Sequence, residues 1–213
     1  MRARRAWVSF AAWTRRQLLR GGAEGNERLT VTVAVTLLVL LAAEGVTILR
    51  IGQLLTPHEF IGVVLIPPVA LKLASTGYRT LSYYRRRRTY VDKGPPQLLL
   101  RVLVAPVLVV TTLVVFGTGV ALLWLHTRRG VVVGIHKVAF LVWIGAFGLH
   151  VLAYAVRLPQ SALREWRERV PGRTLRYGLA AAAVALGLLL ALATVPQTDH
   201  WRDRNLPHQL DLD

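Results

Sequence analysis

Five long apolar runs dominate this chain. They lie at about 29–51, 58–75, 98–125, 134–156 and 177–195. A helix needs about 20 predominantly apolar residues to cross a bilayer core of roughly 30 Å. Each run is near or above that length. With 54 % hydrophobic residues in 213, the pattern predicts an all-α integral membrane bundle of five spans. The backbone argument agrees, because a chain in hydrocarbon must satisfy its own peptide groups and helices do so within one segment.

Charge is confined to the connections. The formal net charge is +16, which for a soluble chain would raise nucleic-acid binding. Here the arginines fall between apolar runs, so they report topology and no nucleic-acid partner is expected. Three clusters carry most of them: the amino-terminal 1–28, the loop with Arg85, Arg86, Arg87, Arg88 and Lys93, and the loop with Arg164, Arg167, Arg169, Arg173 and Arg176. These alternate with less basic connections, Arg128 and Arg129 being the exception. The positive-inside rule predicts a multi-pass protein of a bacterial inner membrane, amino terminus inside and carboxyl terminus outside. Tyr78, Tyr83, Tyr84, Tyr154 and Tyr177 would then sit at the inner interface and Trp124 at the outer one.

The organisation follows. Residues 1–28 read as a basic amphipathic segment on the inner leaflet, because 6–13 is short for a signal peptide and no small-residue cleavage site follows. Residues 29–156 hold four spans, 157–176 a basic cytoplasmic loop, 177–195 the fifth span, and 196–213 a polar outer tail expected to be poorly ordered. There are no cysteines, which excludes disulfides, thiolate chemistry, iron–sulfur clusters and c-type haem attachment. No nucleotide loop, HExxH or serine triad pattern is present.

Ionisable residues inside apolar helices are the candidates for function. His136 and His150 stand fourteen residues apart in one run, about 21 Å along a single helix face. His58 and Lys72 repeat that spacing in the second run. With the predicted topology these two runs are parallel, and in an up-down bundle they are diagonal across the core. His58 and His136 would share an outer depth; Lys72 and His150 would share an inner one. Neutral imidazole is a common haem-iron ligand.

On the residues His58-Glu-Phe-Ile-Gly62, His136 and His150, and on the helix count, residues 30–156 resemble the membrane-embedded b-type cytochromes. These include the cytochrome b subunits of formate dehydrogenases and nickel hydrogenases. The resemblance implies that the first four helices form a cytochrome-b-like bundle. It implies a haem b at an outer site ligated by His58 and His136, electron transfer, and a quinone or an oxidoreductase subunit as partner. His150 would ligate an inner haem. The position opposite it is lysine, so the chain departs from the pattern there.

Plainer roles stand beside these. His58 and His136 can be interfacial residues at helix ends, and His150 can bond a neighbouring helix. His126 is a spare ligand candidate or an interfacial residue. Lys72 can snorkel to the inner headgroups, pair with an anionic group, or ligate as a neutral amine, with snorkelling the leading expectation. Glu44, in the outer half of the first run, can bond an outer histidine, relay a proton, bind a quinol hydroxyl, or bond to the backbone or Thr47. Gly62 and Gly145 can admit a flat group or simply another helix. A cofactor-free anchor, and a small transporter with Glu44, Lys72 and His150 along a polar path, are the alternative functions.

Overall fold

The computed structural model describes residues 22–91, 100–125, 130–155 and 172–205. The amino-terminal segment to residue 21, Lys93, His126, Arg128, Arg129 and most of the 157–176 loop lie outside the described residues. Every described element is helical: α1 (Gly22–Leu49), α2 (Ile51–Tyr84), α3 (Arg88–Val91), a π-helical turn (Leu100–Val104) leading into α4 (Ala105–Leu125), α5 (Val131–Tyr154) and α6 (Arg173–Asn205). Five of these segments are long and apolar enough to cross a membrane: Glu24–Leu49, Ile51–Tyr84, Val102–Leu125, Val131–Tyr154 and Arg173–Pro196. The chain is therefore an all-α, five-span membrane-type bundle.

Helix ends differ most from the hydropathy reading, for a common reason. Apolarity stops at the membrane boundary, but backbone hydrogen bonding need not. The 34 residues of α2 span about 51 Å, well beyond a bilayer core. It starts right after Arg50, is kinked at Leu54 (φ −112°, ψ 26°) shortly before Pro57, and continues past Ser75 to Tyr84. The helix of α6 likewise runs through Pro196 to Asn205, so the first part of the expected polar tail is helical. A proline removes one bond and kinks a helix without having to end it. At the start of α4, Pro106 lacks the N–H that would bond the Val102 carbonyl, and the preceding turn is π-helical.

The spans pack in two groups joined by α4. α1 runs antiparallel to α2, with Asn26 bonded near Ser75 at one end and Glu44 near His58 at the other. The second face of α2 carries α6. α4 and α5 form an antiparallel hairpin, and α4 also touches α2 and α6. α5 makes no extended contact with α2. Two apolar clusters hold the first group: Leu29, Val33, Leu37, Leu65 and Ala180, and then Val63, Val64, Leu123 and Ala191. Outside, Val39, Leu141, Leu152, Leu189 and Leu192 are exposed, as a lipid-facing surface requires. Such a surface gives little hydrophobic drive to join helices, so close approach and polar contacts must do it.

The closest approach is at Gly187. A Cβ there would overlap the backbone carbonyl of Val64. That carbonyl lies three residues before Pro67 and four before Pro68, so neither of its usual helical partners has an N–H. Proline and glycine act together: one frees the oxygen and the other lets α6 lie directly against it, where a Cα–H can point at it. At the end of the bundle remote from the α1–α2 turn, Arg87 donates to the Tyr78 hydroxyl at 2.8 Å and the Tyr78 and Tyr90 rings meet edge-on at 6.1 Å. Burial and the neighbouring Tyr78 push the Tyr90 phenol pKa up.

In an exposed helix Gly→Ala is mildly stabilising. Gly187→Ala should instead destabilise by about 1–3 kcal/mol, because the clash is with rigid backbone. Gly145→Ala, where a Cβ meets nothing within 4 Å, should be neutral or better. Unfolding of the two purified variants in detergent micelles checks this; equal stabilities would contradict the crossing.

Candidate cofactor site

Three side chains meet where α1 turns into α2. Glu44 and Thr47 lie one turn apart near the end of α1 and are both buried, at 8 % and 4 % exposure. His58 enters from the start of α2, and its Nδ1 is 2.7 Å from Glu44 Oε1. Thr47 Oγ1 donates to the Glu44 carbonyl at 2.6 Å and lies 3.2 Å from Glu44 Oε2 and 3.3 Å from His58 Nδ1. Gly62, one turn beyond His58, leaves its Cβ position 3.7 Å from Glu44 Oε1. That is ordinary van der Waals spacing, so the carboxylate rather than a wide slot occupies the open side of this glycine.

The second histidine is held in a parallel way by the other hairpin. His136 Nδ1 lies 2.9 Å from Thr118 Oγ1 on α4. The Thr118 hydroxyl is 2.6 Å from the Val114 carbonyl and 3.1 Å from that of Val115. Gly119 brings the α4 backbone to the ring, with its Cβ position 3.5 Å from His136 Cε1. One helical turn pair further on, Thr112 bonds back to the Leu108 carbonyl at 2.6 Å and accepts from Trp143 Nε1 at 2.9 Å.

These bonds bear on the imidazole tautomers. A threonine hydroxyl has one proton, and both threonines place it on a carbonyl of their own helix. Each can then only accept from histidine. Glu44 as a carboxylate also only accepts. With the threonine protons so placed, a neutral ring at either position carries its hydrogen on Nδ1 and its lone pair on Nε2. His136 is also hydrogen-bonded to the Val115 backbone. A histidine whose Nδ1–H is fixed by an acceptor is in the form that ligates metal.

The two histidines are on helices that do not pack together, yet His136 lies within electrostatic reach of both His58 and Glu44. At the other end, His150 is within reach of Lys72. The Lys72 amine donates to the Thr30 carbonyl on α1 at 2.8 Å. Ser75 Oγ bonds the Lys72 carbonyl at 3.1 Å and Thr30 Oγ1 at 3.0 Å, and Asn26 donates to the Ser75 carbonyl at 3.0 Å. His150 packs on Tyr154, with ring centroids 4.9 Å apart. Gly145 meets nothing within 4 Å.

Sequence reasoning named Thr47 but missed Thr118, Thr112, Thr30, Asn26 and Ser75. The available signal was their presence as hydroxyls or amides inside apolar runs. Which of them would meet a histidine or lysine depends on helix pairing. No three His, Asp or Glu side chains among the described residues converge on one metal-sized site. A macrocycle that brings its own equatorial ligands would need only two imidazoles. Comparison with family models, curated proteins and solved structures gives no match. The resemblance to b-type cytochromes therefore rests on the residues quoted for it.

Removing the acceptor of His58 should be costly. Glu44→Ala leaves the ring N–H and Thr47 without the carboxylate, at about 1–3 kcal/mol for an unmet buried polar group. Glu44→Gln keeps an acceptor and should recover part of that loss. Unfolding of both variants beside the wild type measures the difference; equal losses would mean that the carboxylate's hydrogen bonding is not what stabilises the turn.

Proposed function

We propose that this chain is a membrane-embedded b-type haem protein, with His58 and His136 as the axial pair of a single well-held haem. The observation that supports the reading is the matched presentation of two imidazoles. Each has a polar partner at Nδ1, and they come from non-adjacent helices within electrostatic reach of each other. Bound haem would supply a reversible one-electron carrier in the membrane. Glu44, Thr47 and Thr118 hold and orient the rings, and the surrounding apolar spans keep water away. Electrons would pass between a quinone and a partner oxidoreductase subunit. The second site, between His150 and Lys72, lacks a second imidazole, and its amine is engaged by Thr30.

A polar conduit is a poorer reading of the same residues. The Glu44 cluster and the Lys72 cluster lie at opposite ends of the α1–α2 interface, with buried Val33, Leu37 and Leu65 between them. Thr32 and Thr36, on the intervening stretch of α1, donate to carbonyls of their own helix. A cofactor-free anchor would use the histidines for packing alone.

The test is a reduced-minus-oxidised absorption spectrum of the protein purified after haem-supplemented expression. Soret and α bands are expected, lost in His58→Ala and in His136→Ala. Lys72→His should add a second redox transition by completing the other pair. A bandless wild type would overturn the reading, and loss of all haem in His150→Ala with retention in His136→Ala would reverse the site assignment.

The placement in a bacterial inner membrane, amino terminus inside, rests on the arginine-rich connections. A reporter fused after Asp213 should be active only on the outer side. A cytoplasmic signal from the intact fusion would overturn the orientation.

A further inference from the structure

The basic run that ends α2 is folded back onto it. α2 leaves its apolar stretch near Ser75, and Arg85 stands about 15 Å further along the axis. Left straight, the run would project clear of a headgroup layer of roughly 5–7 Å. Instead Arg86 takes a left-handed backbone, with φ 51°. Its N–H bonds the Tyr83 carbonyl at 3.0 Å, and that of Arg87 bonds the Ser82 carbonyl at 3.2 Å. Glycine is the usual residue in such a cap, because a side chain is strained there. The chain reverses, and α3 sets the buried Tyr90 edge-on against Tyr78. Tyr78 lies only about 4.5 Å beyond Ser75 along the helix. The chain around Arg87 and Arg88 is thereby returned towards headgroup depth.

Arg87 is fixed at that depth. Its guanidinium donates to the Tyr78 hydroxyl at 2.8 Å and lies 5.7 Å from that ring's centroid. A phenol is neutral, so the bond orients the guanidinium without cancelling its charge. Arg87 and Arg79 both act on the Tyr90 hydroxyl, as does Tyr78, and no carboxylate is among the described groups that do. Two guanidiniums and two phenols thus meet with hydrogen-bond donors in excess of acceptors. Arg85, Arg86 and Arg88 are exposed on the same turn. Among the described residues the acids at this end are Glu24 and Glu27, at the start of α1, and Glu24 pairs with Arg28 at 2.8 Å. Asp92 and Lys93 follow α3 outside the described residues, one charge of each sign. A donor-rich cationic corner at headgroup depth suits an anion with several acceptor oxygens.

We propose that the α2–α3 corner binds the phosphate of an anionic phospholipid, with Arg87 meeting it, Arg79 and Arg88 beside it, and Tyr78 as the positioning residue that aims Arg87. The corner is remote from the α1–α2 turn and rests on neither the haem reading nor the orientation. A basic loop attracts anionic headgroups by charge alone. This corner adds a guanidinium that is ordered before lipid arrives, which lowers the cost of binding. The strained backbone at Arg86 is what makes the corner, and such strain concentrates at functional sites.

Native mass spectrometry of the detergent-solubilised full chain tests it, by titration with dioleoyl phosphatidylglycerol or dioleoyl phosphatidylcholine. The first phosphatidylglycerol should bind about tenfold more tightly than the first phosphatidylcholine. Arg87→Gln should lose about tenfold in that affinity, and Arg87→Lys, which keeps the charge, should lose most of it as well. Arg86→Gly removes the same charge but suits the turn. It should lose no more than about threefold in affinity and should raise thermal stability. Tyr78→Phe keeps the ring and should weaken phosphatidylglycerol by about threefold, with phosphatidylcholine unchanged. Equal losses in Arg86→Gly and Arg87→Gln would overturn the proposal, because a diffuse field of charge would then suffice. So would equal binding of the two lipids by the wild type. Displacement of phosphatidylglycerol by equimolar inorganic phosphate would also overturn it, since the site would then be one for a soluble anion.

Discussion

A polar group in hydrocarbon has only the protein to bond to, and that constraint organises this bundle. Threonine is the recurring answer. Thr47, Thr112 and Thr118 each give their single proton to a carbonyl of their own helix. Each then has a lone pair for a neighbour: His58, Trp143 and His136. An otherwise apolar helix becomes an acceptor at a chosen depth without leaving any N–H or O–H unmet. The orientation of both candidate ligand rings depends on this device, and so does the register of the α4–α5 hairpin.

The second span illustrates how a defect in one helix becomes a contact with another. Pro67 and Pro68 remove two backbone donors in mid-membrane. The Val64 carbonyl released by Pro68 faces Gly187, the one described glycine whose missing side chain is required by space. α2 is therefore the centre of its group. It meets α1 through polar pairs at both ends and α6 through close backbone approach. The fifth span, which the cytochrome resemblance leaves out, is as much a part of the packing around α2 as the first.

Polar residues divide by position rather than by type. Glu44 and Lys72 are both ionisable and both on the α1–α2 interface, but about four helical turns of apolar contact separate their clusters. Glu44 meets an imidazole and a hydroxyl, whereas Lys72 meets a backbone carbonyl. The first arrangement fixes a ring and leaves its far nitrogen available. The second closes a helix pair, and among the described residues His150 has no carboxylate–threonine set like that around His58.

Much of this was legible in the residues alone. Five apolar runs determined five spanning helices, because hydrocarbon admits few other backbones. The fourteen-residue spacings suggested pairing His58 with His136 and Lys72 with His150, because helical periodicity and alternating direction need no tertiary knowledge; in the structure each pair is within electrostatic reach. Glu44 with Thr47 was foreseeable from their spacing within a turn. The ends of α2 and α6 were not, since a helix can outrun its apolar stretch and pass a proline. The bond from Lys72 to Thr30, the two threonine acceptors on α4, and the freed Val64 carbonyl against Gly187 were decided only by tertiary structure. Each depends on the rotation and closeness of two helices. Apolar sequence leaves those open, since any lipid-facing surface is as hydrophobic as the core it might have joined.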